Sequence, residues 1–210
     1  VDPYQRGSII GTPFNWFEAS YQYTDVDNAL YSLSPEFSGD QTYKDKSFDA
    51  KFLLLKESNY LPAVAFGARD LAGTGVFSAE YIVASKRFNN LDFTLGMGWG
   101  TFSDNGIKNP FRYIDDGFDV RDVSDNETQG GEFSVGNYLS GREVGIFGGV
   151  EVYLPNLRGT RFKIEYDSTD YEKEGFPFGR ESFNFAFENV RQPSSKKNFG
   201  VVYPLTENFH

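Results

Sequence analysis

The sequence contains no cysteine, and its single histidine is the last residue, His210. A chain without cysteine has no disulfide and no thiolate metal site. A catalytic Ser-His-Asp triad needs a histidine held inside a folded site, so a single terminal histidine nearly excludes a triad protease or lipase. We therefore predict no cofactor and no metal ion.

Long apolar runs and basic residues are also scarce. No stretch is long and apolar enough for a transmembrane helix. The 20 Lys and Arg are outnumbered by 30 Asp and Glu, which gives a net charge of −10. Nucleic-acid binding needs a basic footprint, so that class is excluded. The first residues, VDPY, lack the pattern of a signal peptide, and we expect a segment truncated at both ends from a larger polypeptide.

Aromatic residues and glycine are abundant: 22 Phe, 13 Tyr and 22 Gly among 210 residues. This mixture suits many strands joined by tight turns, because glycine and aromatic residues are poor helix formers. The mean hydropathy of −0.48 is that of a soluble protein. A transmembrane β-barrel alternates lipid-facing and lumen-facing residues, however, so an average hides its lipid surface.

The stretch 91–101, LDFTLGMGWGT, shows such alternation most clearly. Its two faces are Leu91, Phe93, Leu95, Met97 and Trp99 on one side, and Asp92, Thr94, Gly96, Gly98 and Gly100 on the other. Glycines and charged side chains do not form the centre of the core of a soluble protein. The pattern therefore favours a strand whose large side chains face lipid and whose small side lines a barrel interior.

The same reasoning predicts nine strands, at 6–12, 17–24, 47–56, 61–69, 76–87, 91–101, 143–154, 160–167 and 197–204. Short turns alternate with longer loops at 25–46, 102–142 and 168–196, and the link 70–75 belongs to the loop series. The alternating segment 183–187 is placed in an outer loop. We predict an all-β fold: an antiparallel up-and-down transmembrane β-barrel of the outer-membrane type, with about 10 or more strands, short periplasmic turns and long outer loops. Residues 1–210 are predicted to form this single domain.

One residue parity is free of charge along eight of these strands, and we assign it to the lipid side. In the fifth strand it contains Phe77, Ala79, Tyr81 and Val83. Aromatic residues near strand ends fit interfacial girdles; they are Tyr23, Tyr60, Trp99, Tyr153 and Tyr203. The opposite parity is predicted to line the lumen, as a polar path or an ion-pair network. Its residues are Glu18, Asp49, Lys51, Arg69, Glu80, Lys86, Asp92, Glu151, Lys163 and Glu165.

One resemblance to a known family is carried by six segments: 13–31, 39–58, 60–100, 108–111, 162–174 and 198–209. They resemble the YjbH family of outer-membrane proteins, which occurs in exopolysaccharide and capsule loci. The longest segment is specific, since chance alternation would not produce it; its sequence is YLPAVAFGARDLAGTGVFSAEYIVASKRFNNLDFTLGMGWG. The resemblance implies a barrel protein that helps to make or export an extracellular polysaccharide. It supplies no catalytic motif.

The chemistry of individual residues leaves alternatives open. Glu80 and Glu151 are candidates for an acid/base pair of a glycosidase, which needs carboxyl groups about 5–9.5 Å apart. Salt-bridged lumen lining, with Arg69, Lys51 and Lys163 as counter-ions, is favoured over that reading.

The acidic loop 102–142 does not have the spacing of a calcium loop, so a solvated loop is favoured over an ion site. Its aromatic residues either stack on sugar rings or pack the loop, and packing is favoured. They are Phe111, Tyr113, Phe118 and Tyr138.

The main hypothesis is a non-enzymatic protein of the bacterial outer membrane that takes part in exopolysaccharide or capsule biosynthesis and export, as a conduit or a docking partner. An outer-membrane barrel enzyme acting on polysaccharide or lipid, and a soluble carbohydrate-binding β-barrel, are the alternatives. The predicted partners are outer-membrane lipid, polysaccharide and other proteins of the export machinery.

Overall fold

The structure is a computed structural model that describes residues 4–31, 35–73, 77–102, 107–121, 138–169 and 195–205. Within these ranges the chain forms ten strands: β1 Tyr4–Phe14, β2 Phe17–Leu30, β3 Thr42–Leu55, β4 Ala63–Arg69, β5 Ala79–Phe88, β6 Leu91–Gly98, β7 Ile107–Lys108, β8 Glu143–Leu154, β9 Thr160–Tyr166 and β10 Lys197–Val202. The helical elements of these ranges are α1 Pro35–Ser38 and three 3-10 turns, Gly100–Phe102, Pro110–Tyr113 and Asp116–Asp119. None of the described helices is both long enough and apolar enough to cross a membrane.

Nine strands form one antiparallel sheet in chain order, β1-β2-β3-β4-β5-β6-β8-β9-β10, and the two-residue β7 pairs with β8 beside it. All nine predicted strands are confirmed. β2 continues past its predicted end because its pairing with β3 continues, with Asp25 of β2 in an ion pair with Lys44 of β3. β6 ends before its predicted end because a 3-10 turn begins at Gly100, whose φ is +68°. The segment 183–187 lies outside the described residues.

The connections sort onto two rims of the sheet. Residues 15–16, 56–62, 89–90 and 155–159 join strands at one rim. The strand ends that the longer connections 31–41, 70–78, 99–142 and 167–196 join are all at the other rim. Asn89 has a φ of +52° in the two-residue turn between β5 and β6, the left-handed conformation that tight hairpin turns require. The predicted alternation of short turns and long loops is confirmed.

The sheet is open between its first and last strands. In the described part of the chain β1 has β2 as its only neighbour, and β10 has only β9. Because eight antiparallel steps separate β1 from β10, the two edge strands run in the same direction. Antiparallel closure would therefore need an odd number of additional strands between them. The all-β antiparallel prediction is confirmed, whereas closure into a barrel remains a prediction.

The register builds one continuous apolar face across the sheet. Directly opposed residues of antiparallel strands lie on the same face. One row of such partners crosses six strands and consists of Phe17, Phe52, Phe66, Ile82, Met97 and Ile146. A second row crosses β5, β6, β8, β9 and β10 and consists of Phe88, Leu91, Val152, Phe162 and Val201. We call this side of the sheet the apolar face, and the opposite side the inner face.

The parity predicted for β5 is wrong. Tyr81 lies opposite Gly67 and Gly98, and Val83 lies opposite Ala65 and Gly96, so both belong to the inner face. Phe77, also predicted to face lipid, is buried against Tyr4 and Arg6. Alternation misassigns this strand because the charge of Glu80 makes its parity look like the polar one, whereas Glu80 is buried on the apolar side and paired with Arg121.

Trp99 is likewise not a lipid-facing girdle residue. Its side chain is 1% exposed, and its indole ring stacks on Phe111 at 5.5 Å between ring centroids. The residue follows β6 directly and is covered by the connection that leads to β8. The girdle prediction is therefore wrong at this position, because a loop rather than lipid covers the end of the strand.

Glycines of the inner face make room for aromatic rings. A β-carbon at Gly67 would lie 2.2 Å from the ring of Tyr81, and one at Gly96 would lie 2.2 Å from the ring of Phe147. Tyr81 and Phe147 meet edge to face at 6.1 Å, and Phe102 stacks on Phe147 at 5.4 Å. The small residues of the inner face are therefore covered by rings from neighbouring strands rather than left as empty space.

We expect Gly96→Val to destabilise the fold by about 1–3 kcal/mol, because the new side chain collides with a packed ring. Gly7→Val on β1 is the matched control, since a β-carbon there meets nothing within 4 Å. Urea unfolding followed by circular dichroism measures both. In the double variant Gly96→Val/Phe147→Ala the loss should be smaller than the sum of the single losses. Additive losses, or equal effects at Gly7 and Gly96, would contradict the packing argument.

Candidate functional site

Most of the predicted lumen-lining residues share the inner face. The register places eight of them there: Glu18, Asp49, Lys51, Arg69, Asp92, Glu151, Lys163 and Glu165. They share one face because each alternates with a residue of the apolar face. Glu80 and Lys86 belong to the other face, since their partners include Ala68 and Phe93.

The inner-face charges pair between neighbouring strands. Lys163 Nζ lies 3.0 Å from one carboxylate oxygen of Glu151, and Arg161 lies 3.7 Å from the other. Arg87 and Asp92 form a second pair at 3.0 Å. Each pair joins adjacent strands of the sheet, so these charges stabilise the register locally.

The part of the inner face that β2 and β3 form has its own polar contacts. Glu18 and Lys51 lie 3.6 Å apart on β2 and β3. The Asp49 carboxylate accepts hydrogen bonds from the Ser20 hydroxyl and the Asp70 backbone N–H, each at 2.9 Å. These interactions leave the polar surface near β2 and β3 largely satisfied by the chain itself.

A cleft of about 540 Å³ lies on the inner face of β5 to β10. A row of polar partners crosses its floor, namely Ser85, Thr94, Gly149, Glu165 and Asn198. The hydroxyls of Ser85 and Thr94 are hydrogen-bonded at 3.0 Å. The stacked rings of Phe102 and Phe147 line the side of the cleft nearer the long loops. The ion-paired residues Asp92, Glu151 and Lys163 line the side nearer the short turns.

The chemistry of this cleft suits a sugar. Aromatic rings attract polarised C–H groups through their negative faces, and a pyranose ring presents such groups on one side. Hydroxyls, an amide and a carboxylate supply donors and acceptors for sugar hydroxyls. The cleft also falls in the size range of small-molecule sites, roughly 300–1,000 Å³. Phe147, Thr94 and Asn198 were not singled out by sequence, although the opposing glycine Gly96 is a signal for the ring of Phe147.

Glu80 is engaged elsewhere. Its carboxylate is fully buried and accepts two hydrogen bonds from the guanidinium of Arg121, each at 2.9 Å, and a third from the Leu139 backbone N–H at 3.0 Å. It also lies on the opposite face of the sheet from Glu151. The acid/base pairing of Glu80 with Glu151 is therefore wrong, and the placement of Glu80 in the lumen is corrected with it.

Lys86 reaches beyond its strand to the short-turn rim. Its amine donates to the Glu57 carboxylate at 3.0 Å and to the Ser58 carbonyl. The Arg87 backbone N–H donates to the same carboxylate at 3.0 Å. These two donors, the backbone one first, lower the pKa of Glu57 below its usual value. The position of Lys86 on the apolar face is thus compatible with its charge, because the long side chain carries the amine to the rim.

The described parts of the connection 99–142 form a folded unit, which we call the cap, comprising 99–102, 107–121 and 138–142. Its centre is the buried amide of Asn109. The Oδ1 atom accepts from the Trp99 indole N–H and the Phe111 backbone N–H, each at 3.1 Å. The Nδ2 group donates to three backbone carbonyls, those of Phe118, Leu139 and Gly141, at 2.9–3.1 Å.

The loop aromatics mostly pack the cap. Phe111 lies between Trp99 and Phe118, with ring centroids 5.5 and 5.6 Å apart. The Tyr138 hydroxyl donates to the Leu71 carbonyl at 3.2 Å. Burial, reinforced by the nearby Glu80 carboxylate, raises the pKa of Tyr138. Tyr113 differs, since its side chain is 80% exposed. In the described residues no group of three His, Cys, Asp or Glu side chains is arranged to hold a metal ion.

Together these observations define a class: an antiparallel meander with one apolar face, one polar face carrying a cleft, and a folded cap on its long-loop rim. The family model described as "YjbH: Exopolysaccharide biosynthesis protein YbjH" matches residues 1–210. The chain therefore belongs to the YjbH family, and the resemblance seen in its sequence is confirmed.

A curated relative is the "Uncharacterized lipoprotein YjbH" of Escherichia coli (strain K12). It is 41% identical over 207 residues, which are 98% of this chain and 27% of the relative. The chain thus spans about a quarter of the length of that relative. No solved structure matches the chain.

We expect Asn109→Ala to open the cap, because it leaves a buried indole N–H and several carbonyls without partners, at a cost of about 2–4 kcal/mol. The chain has two tryptophans, so a Trp16→Phe background isolates the emission of Trp99. The emission of Asn109→Ala should shift to the red, and backbone amides of 107–121 should exchange faster. Asn198→Ala removes an exposed amide and is the control. Unchanged Trp99 emission would show that Asn109 does not hold the cap.

Proposed function

We propose that this chain is part of an outer-membrane β-barrel that takes part in exopolysaccharide biosynthesis and export, with the apolar face toward lipid and a sugar chain docked in the inner cleft. The observation that carries the proposal is the two-sided sheet. A charge-free apolar row crosses six strands from Phe17 to Ile146, and the opposite face carries paired charges and the cleft. The family description supplies the pathway.

The exposure of large apolar side chains favours lipid as the surroundings of this face. Phe199 is 76% exposed, Leu95 63% and Ile164 53%. Each buried Å² of apolar surface is worth about 25 cal/mol, so leaving such a face in water is unfavourable. Tyr203 lies partly exposed just after β10, at the short-turn rim, where membrane interfaces favour tyrosine. Tyr153, also predicted as a girdle residue, pairs with Arg161 and therefore lies on the inner face. In the proposed orientation the short-turn rim faces the periplasm and the long loops face outward.

The lipoprotein description of the relative supports a location in the cell envelope for this chain. The relative is much longer than the chain, so further strands of a longer polypeptide are a natural source for the odd number that closure requires. We therefore propose that the two edge strands β1 and β10 are completed into a barrel by such strands.

Docking of a sugar chain is favoured over conduction through an open lumen. The inner face near the long loops is covered by Phe102, Phe147 and Tyr81, and Phe77 packs on Tyr4 and Arg6 of β1. Rings in these positions take up space that a passing polymer would need. The cleft beside them remains accessible as a binding surface.

The proposed role is non-enzymatic. Both carboxylate oxygens of Glu151 are next to cations, those of Lys163 and Arg161. These ion pairs hold the Glu151 carboxylate against β9, and Glu80 lies on the opposite face of the sheet, so the two carboxyl groups cannot flank one glycosidic bond. Glu80 is fully committed to the cap. We expect purified protein to release no new reducing ends from exopolysaccharide of the bacterium that carries the gene, and a time-dependent release would contradict this role.

We expect Glu165→Gln and Asn198→Ala to weaken binding of exopolysaccharide fragments about five- to tenfold each, because each removes a polar partner from the cleft floor. Both side chains are exposed, so the fold should be unaffected. Isothermal titration calorimetry with the detergent-solubilised protein measures the affinity, and secreted polysaccharide measures the role in the cell.

Glu18→Gln is the matched control for this experiment, since Glu18 lies on the same face but outside the cleft. It should bind the fragments as the parent does. Equal affinity of the parent and the three variants for the fragments would contradict a sugar site in the cleft. Unchanged polysaccharide secretion after deletion of the gene would contradict a role in exopolysaccharide export.

A further inference from the structure

A notch interrupts the apolar face at Gly148. The row of partners at this level is Leu95, Gly148, Tyr166 and Lys197. Glycine contributes no side chain, so the large side chains of Leu95 and Tyr166 stand on either side of a depression of about 670 Å³. A β-carbon at Gly148 would lie 2.4 Å from the Thr94 carbonyl oxygen, so the backbone packing of β6 and β8 requires glycine here.

The lining of the notch is apolar along the direction of the strands. Ala84, Phe93, Ile146, Val150 and Ile164 surround it. These side chains present no hydrogen-bonding group, so a ligand in contact with them gains by burying apolar surface. Lys86, Thr94 and Glu165 also border the depression. An apolar lining of this kind suits a hydrocarbon chain better than a polar group.

The notch carries a cation and a hydroxyl on the side formed by β9 and β10. Lys197 begins β10 and lies directly opposite Tyr166, the last residue of β9. The Lys197 side chain is exposed, and among the described residues no carboxylate lies within 4 Å of its amine. An ammonium beside a phenol hydroxyl is a donor set for a phosphate group.

We propose that the notch binds one acyl chain of a phosphorylated lipid, whose phosphate is held by the Lys197 amine and the Tyr166 hydroxyl. The inference rests on the proposed function, because it needs the apolar face to meet lipid. In the orientation proposed above, Lys197 lies at the outward rim, so the lipid belongs to the outer leaflet. A phosphorylated glycolipid of the lipid A type has the required phosphate and acyl chains.

The chain contains its own control for this site. Tyr23 and Lys46 form the same direct cross-strand pair on the apolar face, also near the long-loop rim. Lys46 is exposed like Lys197, but it does not line this notch. If a tyrosine and a lysine near the rim were enough to bind the lipid, changes at Lys46 and Lys197 would weaken binding equally. If the notch is needed, only the change at Lys197 should weaken binding.

The test uses the full-length protein in mild detergent, titrated with purified lipid A and observed by native mass spectrometry. The parent should bind one lipid A molecule tightly, and Lys197→Glu should weaken that binding about tenfold or more, since it removes a charge-assisted hydrogen bond. Ala84→Trp should weaken it by filling the notch while leaving the charges in place. Lys46→Glu should bind as the parent does.

The outcomes separate this inference from the function on which it rests. Equal losses of lipid A affinity in Lys46→Glu and Lys197→Glu, or unchanged affinity in Ala84→Trp, would overturn the proposed role of the notch. Preference for phosphatidylglycerol over lipid A would overturn the assignment to the outer leaflet, and displacement by millimolar inorganic phosphate would overturn the role of the acyl chain. Parent protein that is absent from the outer-membrane fraction would overturn the proposed function itself.

Discussion

The structure depends on a fixed register between neighbouring strands. Side chains of a strand alternate with a period of two, so a slip of one residue would exchange the apolar and inner faces of that strand. The contacts between Gly67 and Tyr81, and between Gly96 and Phe147, oppose such slips because each ring fits over the residue that has no side chain. The cross-strand ion pair of Glu151 with Lys163 fixes the same alignment further along β8.

The cap adds a second kind of constraint, in which polar groups are buried and satisfied together. Asn109 uses its oxygen and its amino group at once, and Glu80 accepts from both Arg121 and Leu139. Leu139 is held by both of these side chains and has a φ of +60°, an unfavourable conformation for a residue with a β-carbon. The network thus supports a strained backbone position and keeps the cap folded against the end of the sheet.

The sequence predicts the strands of this protein better than its loops. Strand β6 is readily predicted because its two parities differ in both size and polarity. Strand β5 is not, since Tyr81 and Ile82 are both apolar and only the partner strands decide which one faces inward. The burial of Trp99 and the pairing of Glu80 with Arg121 depend on a loop that folds back over 41 residues of sequence, and no local pattern encodes that return. Eight of the ten predicted inner-face residues follow from alternation alone, while the cleft needed the register of five strands.

The odd number of strands in the meander has a consequence for sidedness. The chain enters β1 at the long-loop rim and leaves β10 at the short-turn rim. A polypeptide joined before Tyr4 would therefore meet the sheet at the long-loop rim, and one joined after Leu205 would leave it at the short-turn rim. If the apolar face meets a bilayer, the segment acts as a single net crossing, and it reverses the compartment of whatever follows it.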